Sequence, residues 1–141
     1  MHSYRYRVVK FGGSNLKTSD DIQRILKVIG LYNQPVIMVF SAFYGITDAL
    51  SDVIEKCRKN KRDIDEFTQK IRQIKYGIFE NYIDDPKLRE EAKSRIEERF
   101  DELQKKLMGI HYIGDIPDFL RDEILSYGER LCSLIFTYIL Q

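Results

Sequence analysis

Thiols and imidazoles are scarce in this chain, with two cysteines and two histidines among 141 residues. Cys57 and Cys132 fall in stretches that read as helices, so they are expected to be unpaired thiols of a reducing compartment. They lack zinc-site spacing, and His2 and His111 form no cluster around them, so no metal site is predicted. Neither sign of charge is in excess. The 23 basic and 22 acidic side chains leave a net charge of +1, which gives non-specific nucleic-acid binding no global support. No run approaches the roughly 20 apolar residues that cross a bilayer. The opening Met1-His2-Ser3-Tyr4-Arg5 lacks the apolar core of a signal peptide. The expectation is a cytoplasmic protein with no nucleic-acid or membrane partner. Its 43% apolar and 32% charged residues suit one soluble globular domain with a real core.

Two phosphate-binding signatures are absent as well. Gly-x-x-x-x-Gly-Lys-Ser/Thr occurs nowhere, and Gly12-Gly13 is not Gly-x-Gly-x-x-Gly. The chain does have Val8-Val9-Lys10-Phe11-Gly12-Gly13-Ser14, an apolar strand that runs through one lysine into two glycines and a hydroxyl. Two glycines let the backbone turn sharply and bring bare N–H groups close to a ligand. An ammonium group beside them makes a site for an anion, a phosphate foremost. The same residues also describe an ordinary strand end, so the stretch gains weight only from company further along.

Tyr4 to Phe11 is predicted to be a strand, more buried as it approaches Lys10. Ser19 or Asp20 caps a helix to about Tyr32, with Ile22, Ile25, Leu26 and Ile29 on one face, and Asn33-Gln34-Pro35 ends it. Pro35 to Ser41 is a nearly unbroken apolar run, the pattern of a strand buried on both faces of a parallel sheet. Strand, helix, strand makes a βαβ unit with a right-handed crossover. Ligands of such sheets bind beyond the carboxyl ends of the strands, the edge that would carry both Lys10–Ser14 and Ser41–Thr47. Thr47 is the expected N-cap of a helix from Asp48 to about Lys59.

Ile64, Phe67, Ile71, Ile74 and Ile78 step by three and four, as do Leu88, Ala92, Ile96, Phe100, Leu103 and Leu107. These steps predict an antiparallel helical hairpin over about residues 63–108, with Asp84-Asp85-Pro86 supplying a cap and a proline at the first helical position. Gly109 to Pro117 reads as irregular. From Asp118 one long helix is expected, with Leu120, Ile124, Leu131 and Ile135 on a broad apolar face. Within it sits Gly128-Glu129-Arg130. A carboxylate amid that much apolar surface is costly without a partner. Glu129 therefore pairs with Lys10 or Arg130, points into a polar site, or lies on the solvent side. The helix reaches Gln141 without a cap, so the chain reads as cut rather than finished.

Taken together, three stretches resemble the N-terminal part of aspartate kinases, within the amino-acid kinase family. Lys10-Phe11-Gly12-Gly13 looks like the opening Lys-Phe-Gly-Gly. Ser41-Ala42-Phe43-Tyr44-Gly45-Ile46-Thr47 looks like Ser-Ala-x-x-Gly-x-Thr, and Tyr127-Gly128-Glu129-Arg130-Leu131 looks like the family's Gly-Glu-Arg/Leu helix. Ser14-Asn15 stands where the family usually has Thr-Ser, and Phe43-Tyr44 is bulkier than the usual pair. The resemblance implies an α/β three-layer sandwich with a mainly parallel sheet, truncated here, and carrying the helical hairpin as an insertion. Residues 1–141 would be the N-terminal portion of the kinase domain, without its nucleotide-binding half and regulatory ACT domains.

The implied reaction is transfer of the ATP γ-phosphoryl, with Mg²⁺, to the side-chain carboxylate of L-aspartate, the first step of lysine, threonine and methionine biosynthesis. By resemblance Lys10 neutralises the phosphates, the amides of Gly12 and Gly13 and the Ser14 hydroxyl hold the transferring oxygens, and Ser41, Thr47 and Glu129 hold the substrate. The piece alone is expected to be inactive, and its cut sheet edge and apolar terminal helix predict a homo-oligomer. Two other readings use the same residues: an amino-acid kinase with a different acceptor, or a non-catalytic α/β assembly module.

Overall fold

The computed structural model describes residues 6–141, the side chains of 74–79 excepted. Tyr4 and Arg5 of the expected first strand, and the Ile74 and Ile78 side chains of the expected hairpin, lie outside the described residues. Strands β1 (Arg7–Phe11) and β2 (Val36–Phe40) pair in parallel, with Val8 opposite Ile37, Lys10 opposite Val39 and Phe11 opposite Phe40. Helix α1 (Ser19–Ile29) makes the crossover between them. Its cap is Thr18, one residue earlier than expected, because Asp21 then stands at the third helical position and its carboxylate accepts from the Thr18 amide at 3.0 Å. The helix also stops before Tyr32. Tighter bonds from Leu31 to Val28 and from Tyr32 to Ile29 take over, at 3.2 and 3.1 Å.

Side chains alternate across a strand, so the two faces of the sheet separate cleanly. Phe11 and Phe40 point into the core, with Val9 and Met38 packed against it. Val8, Ile37 and Val39 point the other way, and Ile37 remains 50% exposed. The expectation that β2 is buried on both faces is therefore corrected. Both faces are apolar, but among the described residues helices cover only one.

Helix α2 (Ile46–Cys57) begins two residues earlier than expected. Its N-cap is Gly45, at φ 77°, a conformation that side chains disfavour. Thr47 thus lies inside the first turn and does not cap it. Helices α3 (Arg62–Phe79) and α4 (Pro86–Ile113) form the hairpin. Contacts between Asp65 and Gln104, between Arg72 and Glu97, and between Glu80 and Lys93 show that the two run antiparallel. Asp85 caps α4 by accepting from the Lys87 amide at 2.9 Å, with Pro86 in the first helical position. The helix runs straight through Gly109, which had read as irregular, and ends at Gly114, whose φ of 75° suits a helix terminus.

The expected single C-terminal helix is two, α5 (Asp118–Leu125) and α6 (Tyr127–Ile139). The Ser126 hydroxyl donates to the Glu123 carbonyl at 2.7 Å, the kind of local bond by which serine competes with a helix ladder. Helix α6 lies on the inner face of the sheet. Its Phe136 ring stacks on Phe40 at 4.1 Å and on Phe43 at 6.3 Å, and Phe40 stacks in turn on Phe11 at 5.4 Å. The class is α/β with a parallel sheet.

Candidate active site

Both strands end at the same edge, and the site grows from the two loops that leave them. After β1 the chain passes through Gly12 into a 3-10 turn over Gly13–Asn15. The turn's own bonds use the amides of Asn15 and Leu16, which donate to Gly12 and Gly13, so the amides of the two glycines stay outside it. After β2 the Ser41 amide donates to the Phe11 carbonyl at 3.0 Å, carrying the strand pairing one residue further. The Tyr44 amide donates to the Leu16 carbonyl at 3.1 Å and latches the second loop onto the first. The loops are so close that a Cβ at position 13 would stand 3.2 Å from the Ala42 carbonyl oxygen.

The third wall comes from α6. A Cβ at Gly128 would lie 2.7 Å from the Cβ of Ala42, so only a hydrogen at 128 lets the helix approach the loop this closely. That approach carries Glu129, in the first turn of α6, to the loops. Gly13, Ser14, Ser41, Thr47 and Glu129 line one open pocket of about 350 Å³, the low end for small-molecule sites. Five of the seven residues singled out in the sequence thus meet. Lys10 and Gly12 are not among the lining residues. Lys10 shares the outer face of the sheet with Val39, away from α6, because it is out of step with Phe11 in the strand alternation.

Of the alternatives for Glu129, pairing with Lys10 or Arg130 is not what the structure contains. The Arg130 guanidinium lies over the Tyr127 ring at 4.6 Å, and Glu129 makes no ion pair among the described residues. Its carboxylate is exposed at the pocket wall. Asp48 and Tyr44 also line the pocket and were missed in the sequence. Asp48 reads there as a first-turn acid that complements the helix dipole, a structural role that hides any other. The lining therefore offers two carboxylates, three aliphatic hydroxyls from Ser14, Ser41 and Thr47, the Tyr44 phenol, and no cationic side chain. Such a wall suits a ligand that brings its own ammonium group.

Behind Glu129 a half-buried hydrogen-bond chain anchors the start of α6 to the hairpin. The Tyr127 hydroxyl donates to Glu102 at 3.1 Å, and Arg99 donates to the same carboxylate at 2.9 Å. Burial, then the Glu102 charge, pushes the Tyr127 phenol from 10.0 up to about 12. The folded protein therefore keeps its proton where the unfolded chain has lost it, and stability falls as pH rises through that window. Wild type should lose about 1–2 kcal/mol between pH 10 and pH 12. Tyr127→Phe should flatten this slope in chemical denaturation run at stepped pH, and an unchanged slope would assign the loss elsewhere.

The comparisons with known proteins agree with this architecture. A model of the amino acid kinase family matches residues 5–141. The bifunctional aspartokinase/homoserine dehydrogenase of Buchnera aphidicola subsp. Acyrthosiphon pisum (strain APS) is 29% identical over 139 residues, which are 96% of this chain and 17% of that protein. E. coli aspartokinase III, solved in complex with aspartate and ADP in the R-state, superposes with a TM-score of 0.81 at 25% identity, over 96% of this chain and 29% of its own. Its T-state, in complex with lysine and aspartate, gives 0.80 at 25% identity over 98% and 29%. The chain spans less than a third of the length of these relatives. With a family model that spans nearly every residue, and a homologous aspartokinase fold, the chain belongs to the amino acid kinase family.

Proposed function

We propose that the pocket is the acceptor subsite of an aspartate kinase, holding L-aspartate while its side-chain carboxylate receives the γ-phosphoryl of ATP. The observation that carries this is the Glu129 carboxylate, without an ion pair among the described residues and set against the Ser41 and Thr47 wall by the Gly128–Ala42 contact. Support also comes from E. coli aspartokinase III, whose crystal structure is a complex with aspartate and ADP.

In this reading Glu129 takes the α-ammonium of the substrate, and Ser41 and Thr47 hydrogen-bond its polar groups. The acceptor oxygen then lies toward the Gly13–Ser14 wall. The amides of Gly12 and Gly13 and the Ser14 hydroxyl stabilise charge on the transferring group, and Lys10 meets the phosphates from the outer side of the same turn. The two anions are thus brought together from opposite sides of the glycine turn. Positioning and electrostatics do most of the work, since a carboxylate nucleophile needs no general base. Mg²⁺ belongs to the nucleotide: among the described residues no three His, Cys, Asp or Glu side chains gather to hold a metal, so phosphates and water would carry it. Residues 1–141 supply the acceptor half of the kinase domain in this reading. The nucleotide half comes from further chain, so these residues alone bind aspartate without turning over ATP.

Isothermal titration with L-aspartate tests the assignment. Glu129→Gln is expected to weaken binding about tenfold or more, the scale of a lost charge-assisted hydrogen bond. Equal affinity of the variant and wild type would end the reading, as would a wild type that binds no aspartate.

A further inference from the structure

The pocket lining has two carboxylates and no cation, yet a substrate with two acid groups needs positive charge at the mouth as well as negative charge within. Lys10, on the other face of the sheet, lies outside the lining. The cation that the structure does set against a lining residue is Lys17. Its ammonium nitrogen lies over the Tyr44 ring at 4.4 Å from the centroid. Lys17 makes no ion pair among the described residues, and Tyr44 is 65% exposed at the rim.

Both partners are pinned at the backbone. The Lys17 amide donates to the Asp21 carboxylate at 3.1 Å, inside the capping box that starts α1. The Tyr44 amide donates to Leu16, the residue before Lys17, at 3.1 Å. A lysine on a free loop samples many rotamers. This one begins from a fixed base and rests on a ring that is itself fixed, so less freedom remains to be lost when an anion arrives.

We propose that Lys17, seated on Tyr44, is a specificity-determining cation at the mouth of the pocket, selecting amino acids with an acidic side chain over their neutral isosteres. The proposal rests on the acceptor-subsite reading. Within it the α-ammonium turns inward to Glu129, and the side-chain carboxylate, with its acceptor oxygen toward the Gly13–Ser14 wall, is attracted by Lys17 at the rim beside that wall. Tyr44 lines the pocket and carries the lysine. Its role is to hold the charge in place.

The test is isothermal titration of the whole chain with L-aspartate and with L-asparagine, which share the α-ammonium and differ at the side-chain acid. Lys17→Met is expected to weaken aspartate about threefold to fivefold, the scale of one exposed ion pair, and to leave asparagine unchanged. Tyr44→Leu should do the same, because the ammonium loses its seat, whereas Tyr44→Phe keeps the ring and should keep the preference. Added salt should erode the preference of wild type and not that of Lys17→Met. An aspartate-to-asparagine ratio unaltered in Lys17→Met would overturn the proposal. Glu129→Gln separates the two claims. Weakening of both amino acids upholds the pocket reading and leaves Lys17 to be judged on the ratio, while weakening of neither removes the pocket reading itself.

Discussion

Replacing Phe136 with alanine is expected to destabilise the protein by about 3–5 kcal/mol, the range for truncating a fully buried aromatic. Phe136 is 0% exposed, and its ring is the contact through which α6 meets the sheet, stacked on Phe40 and near Phe43. Removing it leaves a hole beneath both strands and forfeits ring stacking worth about 0.5–1.5 kcal/mol beyond area burial. On the outer face Val8, Ile37 and Val39 stay largely exposed, so the strands depend on their inner face. Urea denaturation tracked by far-UV circular dichroism measures the loss, with Phe136→Leu as a milder comparison. A cost below about 1 kcal/mol would mean that the sheet is held by something other than α6.

The second large effect is expected at Gly128. Alanine in a helix is favoured over glycine by about 1 kcal/mol, so an exposed Gly→Ala change would stabilise α6. Here the new methyl carbon would fall 2.7 Å from the Cβ of Ala42, a contact with no flexible end that can swing away. Overpacking of this kind costs about 1–3 kcal/mol, and it outweighs the propensity gain. Gly128→Ala should therefore lower stability by up to about 2 kcal/mol, and it should weaken aspartate binding further by moving Glu129 off the pocket wall. Ala42→Gly removes the opposing carbon, so the double variant should recover most of both losses. A double-mutant cycle with no coupling between the two positions would show that the contact does not hold α6 in place.

Much of this architecture is legible along the chain because periodicity is a local signal. The βαβ unit, the hairpin cap at Asp85-Pro86 and the apolar face of α6 each come from spacing and from one or two special residues. The misplaced boundaries share a cause, since each depends on a bond or torsion that several residue types can supply. Thr18 or Ser19 could each cap α1, and the reach of Asp21 decides. Gly45 and Gly109 are the same letter in the sequence. One turns with positive φ, while the other sits inside a helix because Gly114 ends it five residues later.

That five of the residues singled out line one candidate pocket was legible for another reason. Ser41, Thr47 and Glu129 belong to motifs with particular spacing, and the edge of a parallel βαβ unit gathers the loops at the carboxyl end of each strand. Lys10 was harder to place. Its neighbourhood depends on strand alternation counted from Phe11, and on which face α6 covers, and neither is written near residue 10. Lys17 and Tyr44 carried no pattern, because a contact between a lysine and a ring on two different loops leaves no trace in spacing.

The order in which these parts are made bears on how the protein is born. Helices α3 and α4 contact each other within a short span of chain and can collapse as soon as both exist. The two strands cannot, because the ring that shields Phe40 is encoded about 100 residues later, roughly 5–20 s at ribosomal speed. For that interval a nascent chain presents the Phe40 side of a sticky ribbon without the ring that later covers it. Chaperones that shelter emerging apolar segments would find a binding site there.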